Sequence, residues 1–229
     1  MAARALLAVA ALLATIAASP PEVTVLSNQH RLVIERPETA TVRGAVLLIP
    51  GGSTKLRLGP NGQTRSPNFV IRTREKLLEA GFAVAYMDDP SDLREPIARL
   101  REVGKPVVLL STSRGTIVAA QNAARLGDQG PDLLILTSPV TVGFDSLTAV
   151  NLQPIAIPTL ITANSEDSCR ASPPAGASAL VSRLAHPTFM QFTSTQLKGD
   201  PCEPFAPHGY LGIEDDVLSK IVGWITDHS

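Results

Sequence analysis

The sequence predicts an α/β fold built on one mostly parallel sheet of eight strands, with helices over both faces. Three observations carry this. Uncharged apolar runs such as Ala45–Ile49 (AVLLI) and Pro106–Leu110 (PVVLL) read as strands covered on both faces. Segments of helical spacing lie between such runs, among them Asn68–Ala80 and Gly115–Leu126. The last six strands are separated by stretches of crossover length, which parallel neighbours require.

Taken in order, Met1–Arg4 brings one positive charge, Ala5–Ala18 is a run of 14 uncharged residues, and Ser19, Pro20 and Pro21 follow. This is the pattern of a secretory signal peptide over residues 1–19, with cleavage after Ala18 or Ser19. A retained signal anchor is the alternative, but a spanning helix needs about 20 apolar residues and two prolines stop this one early. Residues 20–229 remain as a single domain. Val23–Leu26 and Leu32–Glu35 form an opening hairpin about Ser-Asn-Gln-His. Ala45–Ile49 is followed by a long polar, Gly-rich loop, Gly51–Pro67, and by an amphipathic helix over Asn68–Ala80 closed by Gly81. Phe82–Met87 is a strand, and Ser91–Val103 a helix with Ser91 or Asp92 as N-cap and Pro96 near its first turn. After Pro106–Leu110 comes the Ala-rich helix Gly115–Leu126, which Gly127 ends. Leu133–Leu136, Thr159–Thr162 and Phe189–Phe192 are the last three strands, and Ile213–Thr226 is a closing helix with Ile213, Val217, Ile221, Trp224 and Ile225 on one stripe.

The chain has 229 residues, 44% hydrophobic and 18% charged, too apolar and too weakly charged for a disordered protein. With 20 basic and 21 acidic residues it lacks the basic excess of a nucleic-acid binder. About 210 residues suffice to bury a sizeable core.

The sharpest motif is Ser111-Thr112-Ser113-Arg114-Gly115, directly after the PVVLL strand and directly before the Ala-rich helix. A serine on so tight a turn is held in a strained backbone conformation, and its neighbours two positions away must be small because backbone meets backbone there. Ser111 and Gly115 satisfy this. The turn exposes the Ser113 hydroxyl at the carboxyl edge of the sheet, where open α/β sheets bind ligands. The plain alternative is a serine capping an ordinary helix.

On these residues the sequence resembles the α/β-hydrolase family, over essentially all of residues 20–229. The resemblance implies a nucleophile, an acid and a histidine in that chain order, with an oxyanion loop upstream. The loop falls on Pro50-Gly51-Gly52-Ser53, with the N–H groups of Gly52 and Arg114 as oxyanion donors; Pro50 stands where relatives often carry His. The acid falls on Asp167, reached from Asn164 as a residue tolerant of left-handed backbone, with Glu166 and Asp145 as alternatives. The histidine falls on His208, whereas His30, His186 and His228 read as solvated surface residues. In these roles Ser113 is the nucleophile, His208 shuttles its proton, and Asp167 orients His208.

Two cysteines, Cys169 and Cys202, flank the acid and the histidine. In an exported chain an even pair is expected to bridge, here between the two loops. A loop of about 33 residues gives roughly 3.5–4 kcal/mol in the chain-entropy account. Two buried thiols are the alternative. Pro139–Ile157 is too short for a large lid domain, which favours a shallow site. Lys55, Arg57, Arg65 and Arg114 lie in or near the oxyanion loop and the Ser113 turn, either as binders of anionic acyl groups or as solvated charges. The resulting expectation is a secreted or periplasmic serine hydrolase of the esterase type, acting on a small-molecule acyl substrate. Amidase, peptidase or thioesterase chemistry uses the same residues, and an exported binding protein without turnover is the rival of another class. No metal or organic cofactor is called for, and no nucleic acid, no membrane after leader removal and a monomeric state are expected.

Overall fold

In the computed structural model, which describes residues 20–229, two antiparallel strands lead into a parallel sheet. The signal-peptide reading of residues 1–19 lies outside the described residues. Strands β1 (Glu22–Val25) and β2 (Arg31–Glu35) pair through the Ser-Asn-Gln-His turn, where the Leu26 N–H donates to the His30 carbonyl at 2.7 Å and Gln29 takes φ 68°. Six further strands follow: β3 (Ala45–Ile49), β4 (Ala83–Met87), β5 (Val107–Thr112), β6 (Leu133–Thr137), β7 (Thr159–Asn164) and β8 (Pro187–Phe192). The sheet order is β1-β2-β4-β3-β5-β6-β7-β8, antiparallel at β1–β2 and β2–β4 and parallel elsewhere.

Every residue of β3 to β7 is buried, because helices cover both faces. Alternate side chains therefore feed two separate cores. Leu47, Leu109 and Leu136 pack with α3 (Arg94–Val103), α4 (Gly115–Leu126) and α5 (Pro174–Ala179). Val46, Leu110 and Ile135 pack with α1 (Phe69–Arg72), α2 (Arg74–Glu79) and α6 (Glu214–Asp227).

Four local outcomes differ from the sequence pattern. The single helix over Asn68–Ala80 is two short ones, broken at Thr73 with φ −103° and ψ 5°. The Thr73 hydroxyl donates back to the Phe69 carbonyl at 2.7 Å, an alternative to helix bonding that bends the chain. Helix α3 begins at Arg94, not Ser91, because carboxylates capture the intervening backbone: Asp89 accepts from Ser91 N–H at 3.0 Å and Asp92 from Arg94 N–H at 3.2 Å. Strands β5, β6 and β7 run one or two residues past their apolar stretches, through Thr112, Thr137 and Asn164. These polar residues continue the ladder, and buried hydroxyls there find backbone partners, as when Ser111 donates to the Ile135 carbonyl at 2.8 Å. Helix α5, in PAGASA, has too little apolar periodicity to announce itself. Among the described residues no helix is long and apolar enough to cross a membrane.

The packing of α6 gives a direct stability test. Ile221 is fully buried against the sheet while its neighbour Lys220 is exposed. Ile221→Ala should cost about 2–5 kcal/mol in urea unfolding, and Lys220→Ala less than about 0.5 kcal/mol. Equal costs would contradict the assigned helix face.

Candidate active site

The turn between β5 and α4 places Ser113 at φ 53°, a region that non-glycine residues seldom occupy. Three bonds hold it there: its N–H donates to the Thr137 carbonyl at 3.0 Å, and its own carbonyl accepts the Thr116 N–H at 3.0 Å and the Thr116 hydroxyl at 2.6 Å. The neighbours are small for a visible reason. A Cβ on Gly115 would lie 2.5 Å from the carbonyl oxygens of both Ile49 and Pro50, and one on Gly51 would lie 2.7 Å from the Ser113 Cβ. The loop after β3 therefore runs directly across the serine.

The loops after β7 and β8 bring the other two groups to the hydroxyl. His208 Nε2 lies 2.9 Å from Ser113 Oγ, and His208 Nδ1 lies 2.8 Å from Asp167 Oδ2. Both His208 and Asp167 are buried. The other Asp167 oxygen accepts the Cys169 N–H at 2.9 Å, which fixes the carboxylate plane. The two alternative acids are elsewhere: Asp145 pairs with the Arg114 guanidinium at 2.6 Å, and Glu166 accepts the Ser165 hydroxyl. Asn164 is not left-handed, contrary to expectation. It is the last residue of β7, where its amide oxygen accepts the N–H groups of Glu166 and Ser194, each at 3.1 Å. The turn to Asp167 is thus closed by the Asn164 side chain together with its carbonyl, which accepts the Asp167 N–H at 3.1 Å.

Gly52 and Arg114 flank the serine. Among the described residues neither N–H donates to a protein acceptor. Cys169 and Cys202 form a disulfide, tying the Asp167 loop to the loop that carries His208. Asp167, Cys169 and His208 also offer donor atoms within 4.8 Å of one another. With the sulfur oxidised and the imidazole committed to Asp167 and Ser113, that set does not suit a metal ion.

Several residues support His208 in ways the sequence did not reveal. Its carbonyl accepts the Ser138 hydroxyl at 2.8 Å, and the Asn164 amide donates to the Pro207 carbonyl at 3.1 Å. Ser138 and Tyr210 both have positive φ, 42° and 58°. The fully buried Tyr210 hydroxyl accepts the Ser138 N–H at 3.2 Å and bonds the Thr162 hydroxyl at 2.7 Å. Burial pushes its phenol up to about 12, so it stays protonated. Gly209 is needed by contact, since a Cβ would overlap the Pro204 carbonyl. The only trace of this in the sequence was the Gly beside His208.

Of the remaining histidines, His186 and His228 are exposed, as expected of surface residues, and His30 is half-buried. His30 lies 3.3 Å from an Asp88 oxygen, and His228 stacks on Trp224 with ring centres 4.4 Å apart. The cavity at the serine has a volume of about 210 Å³. Gly52, Ser53, Asn68, Phe69 and Glu203 are among its walls, and the Asn68 amide oxygen is buried there without a partner.

No protein-family model matches the chain, and no curated protein matches it. Solved structures do. A sugar hydrolase, YeeB, from Lactococcus lactis aligns at 14% identity over 90% of this chain and 97% of its own, with a TM-score of 0.66. The carboxylesterase Cest-2923 from Lactobacillus plantarum aligns at 14% identity over 90% and 97%, with a TM-score of 0.63. An alpha-beta serine hydrolase homologue from Coxiella burnetii aligns at 15% identity over 91% and 98%, with a TM-score of 0.62. Likeness at this level of identity speaks to architecture, and it agrees with the eight-stranded, mostly parallel sheet. The chain has the α/β-hydrolase fold.

Proposed function

We propose that the protein is a serine hydrolase that cleaves an acyl bond, with a carboxylic ester as the substrate. The observation that carries this reading is the continuous relay from the strained Ser113 hydroxyl through His208 to Asp167, at 2.9 and 2.8 Å. A serine hydroxyl is a weak nucleophile until a base at hydrogen-bond distance takes its proton. Neutral His208 accepts that proton at Nε2 as Ser113 Oγ attacks the carbonyl carbon. Asp167 keeps the other proton on Nδ1 and stabilises the imidazolium that forms. The negative charge that develops on the carbonyl oxygen is received by the N–H groups of Gly52 and Arg114. His208 then returns its proton to the leaving alcohol, and a water activated in the same way hydrolyses the acyl-enzyme.

The disulfide supports this arrangement, because it joins the two loops that must stay in register. It also agrees with export to an oxidising compartment, as the leader-like residues 1–19 suggest. The substrate is a small molecule, in keeping with a cavity of about 210 Å³.

Two outcomes test the reading. A fluorophosphonate probe should label the folded protein on Ser113, and Ser113→Ala should abolish labelling and lower ester turnover by on the order of 10⁴-fold or more. No serine-dependent labelling would favour a binding protein on the same fold. Replacing Cys169 and Cys202 together by Ser should cost about 3–4 kcal/mol of stability and lower kcat at temperatures where the protein remains folded. Unchanged stability and turnover would remove the bridge from the account.

A further inference from the structure

Of the four cations that the sequence places in or near the oxyanion loop and the Ser113 turn, the structure sorts two from the others. Arg114 is paired with Asp145, and Lys55 with Asp89, its ammonium 2.6 Å from the carboxylate. That contact, with the field of the same carboxylate, raises the Lys55 pKa. Arg57 and Arg65 have no acidic partner among the described residues. Both face one cavity of about 780 Å³, whose walls include Lys55, Gln63, Thr64 and Ser66 and no carboxylate. Lys55, Leu56 and Ser66 also line the cavity at the serine, so the two spaces adjoin.

The loop that presents these arginines is fixed from behind. Its turn is closed by the Gly59 N–H donating to the Gln63 carbonyl at 2.8 Å, which sets Arg57 and Arg65 on the two arms. The Arg31 guanidinium donates to the carbonyls of Gly59 and Leu58 at 3.1 and 2.9 Å, and Arg31 is itself held by Asp88. Gly62, at φ 80°, sits so close to Val23 and Val33 that an added Cβ would lie 2.8–3.0 Å from their methyls. The Leu56 N–H donates to the Asp88 carbonyl at 2.9 Å. Two unpaired guanidinium groups on a braced turn are prepared to receive oxyanions, because each offers several N–H donors in a fixed fork. Glu203 lines the serine cavity itself and repels a second anion there.

We infer that the Arg57–Arg65 cavity is an anion subsite, and that the substrate of Ser113 is an ester bearing a carboxylate or phosphate beyond the scissile bond. This rests on the serine-hydrolase reading for its chemistry but not for its binding, and the test separates the two. The Ser113→Ala protein is titrated calorimetrically with monoethyl glutarate, with ethyl phosphonoacetate carrying a free phosphonate, and with diethyl glutarate. The anionic esters should bind at least tenfold more tightly than the neutral one. That preference should shrink in about 0.5 M salt, where the screening length falls to a few ångströms. It should be lost in Arg57→Gln/Arg65→Gln on the same background, a pair of exposed positions whose folding is checked by an unchanged unfolding midpoint. The carboxylate and phosphonate arms tell which oxyanion fits better. Equal affinity for the three esters, or a preference that survives the double substitution, would overturn the inference. The wild-type protein's failure to turn over any ester would overturn the catalytic reading alone.

Discussion

The end of the sheet that carries Ser113 depends on how closely α4 approaches β3. At Gly115 the backbone of one element touches the carbonyls of the other, and a single Cβ would stand 2.5 Å from two oxygens. That contact forces a turn too tight for relaxed backbone, and Ser113 takes up φ 53° as a result. Such a conformation costs about 1–3 kcal/mol and persists only where its surroundings over-determine it. Here they do: the ladder bond from Ser113 N–H to Thr137, the Thr116 hydroxyl on the Ser113 carbonyl, and Gly51 packed against the Ser113 Cβ all act on one residue. The strain turns the hydroxyl away from the helix and toward the loops.

What meets the hydroxyl is organised by buried polar groups, not by the apolar cores. Ser138, Thr162 and Tyr210 form a hydrogen-bonded network beneath His208 and Asn164 holds the adjoining Pro207 carbonyl, so that the ends of β6 and β7 are joined to the last loop. In a low-dielectric interior each such bond is strong when made and costly when broken, so the network fixes one geometry for the imidazole. Three non-glycine residues at positive φ, Ser113, Ser138 and Tyr210, are tied to this network or to His208 itself. Clustered strain of this kind accompanies pre-organised sites. On the proposed reading it lets Ser113, His208 and Asp167 begin a reaction without first rearranging.

Much of this was legible from residue patterns that act locally. Continuous apolar runs announced the buried strands, and Gly127 marked the end of α4, where it takes φ 51°. The small residues around Ser113 followed from the tightness of the turn. What stayed hidden depends on partners distant in sequence. Tyr210 acts on Ser138, 72 residues away, and nothing local distinguishes it from any other aromatic beside a loop. Thr73 breaks a helix that periodicity alone would continue, because a hydroxyl competes for the same carbonyl. Asn164 serves through its side chain at a position where only its backbone tolerance was considered. The cations illustrate the same limit. Lys55, Arg57, Arg65 and Arg114 are equivalent as letters, and only folding decides which two find carboxylates.

The charge pattern and the strained turn together describe a site in which a serine hydroxyl meets a buried histidine–carboxylate pair, while Arg57 and Arg65 have no acidic partner among the described residues. The central claim is that Ser113 itself forms and breaks the acyl bond. The most direct measurement is the intact mass of the protein, quenched in acid during steady turnover of an activated ester and then digested. The account predicts a mass increase equal to the acyl group, located on the peptide that contains Ser113 and lost as substrate is exhausted. Product formation at full rate, from a protein that carries no acyl group on Ser113 even when acylation is made fast, would contradict it.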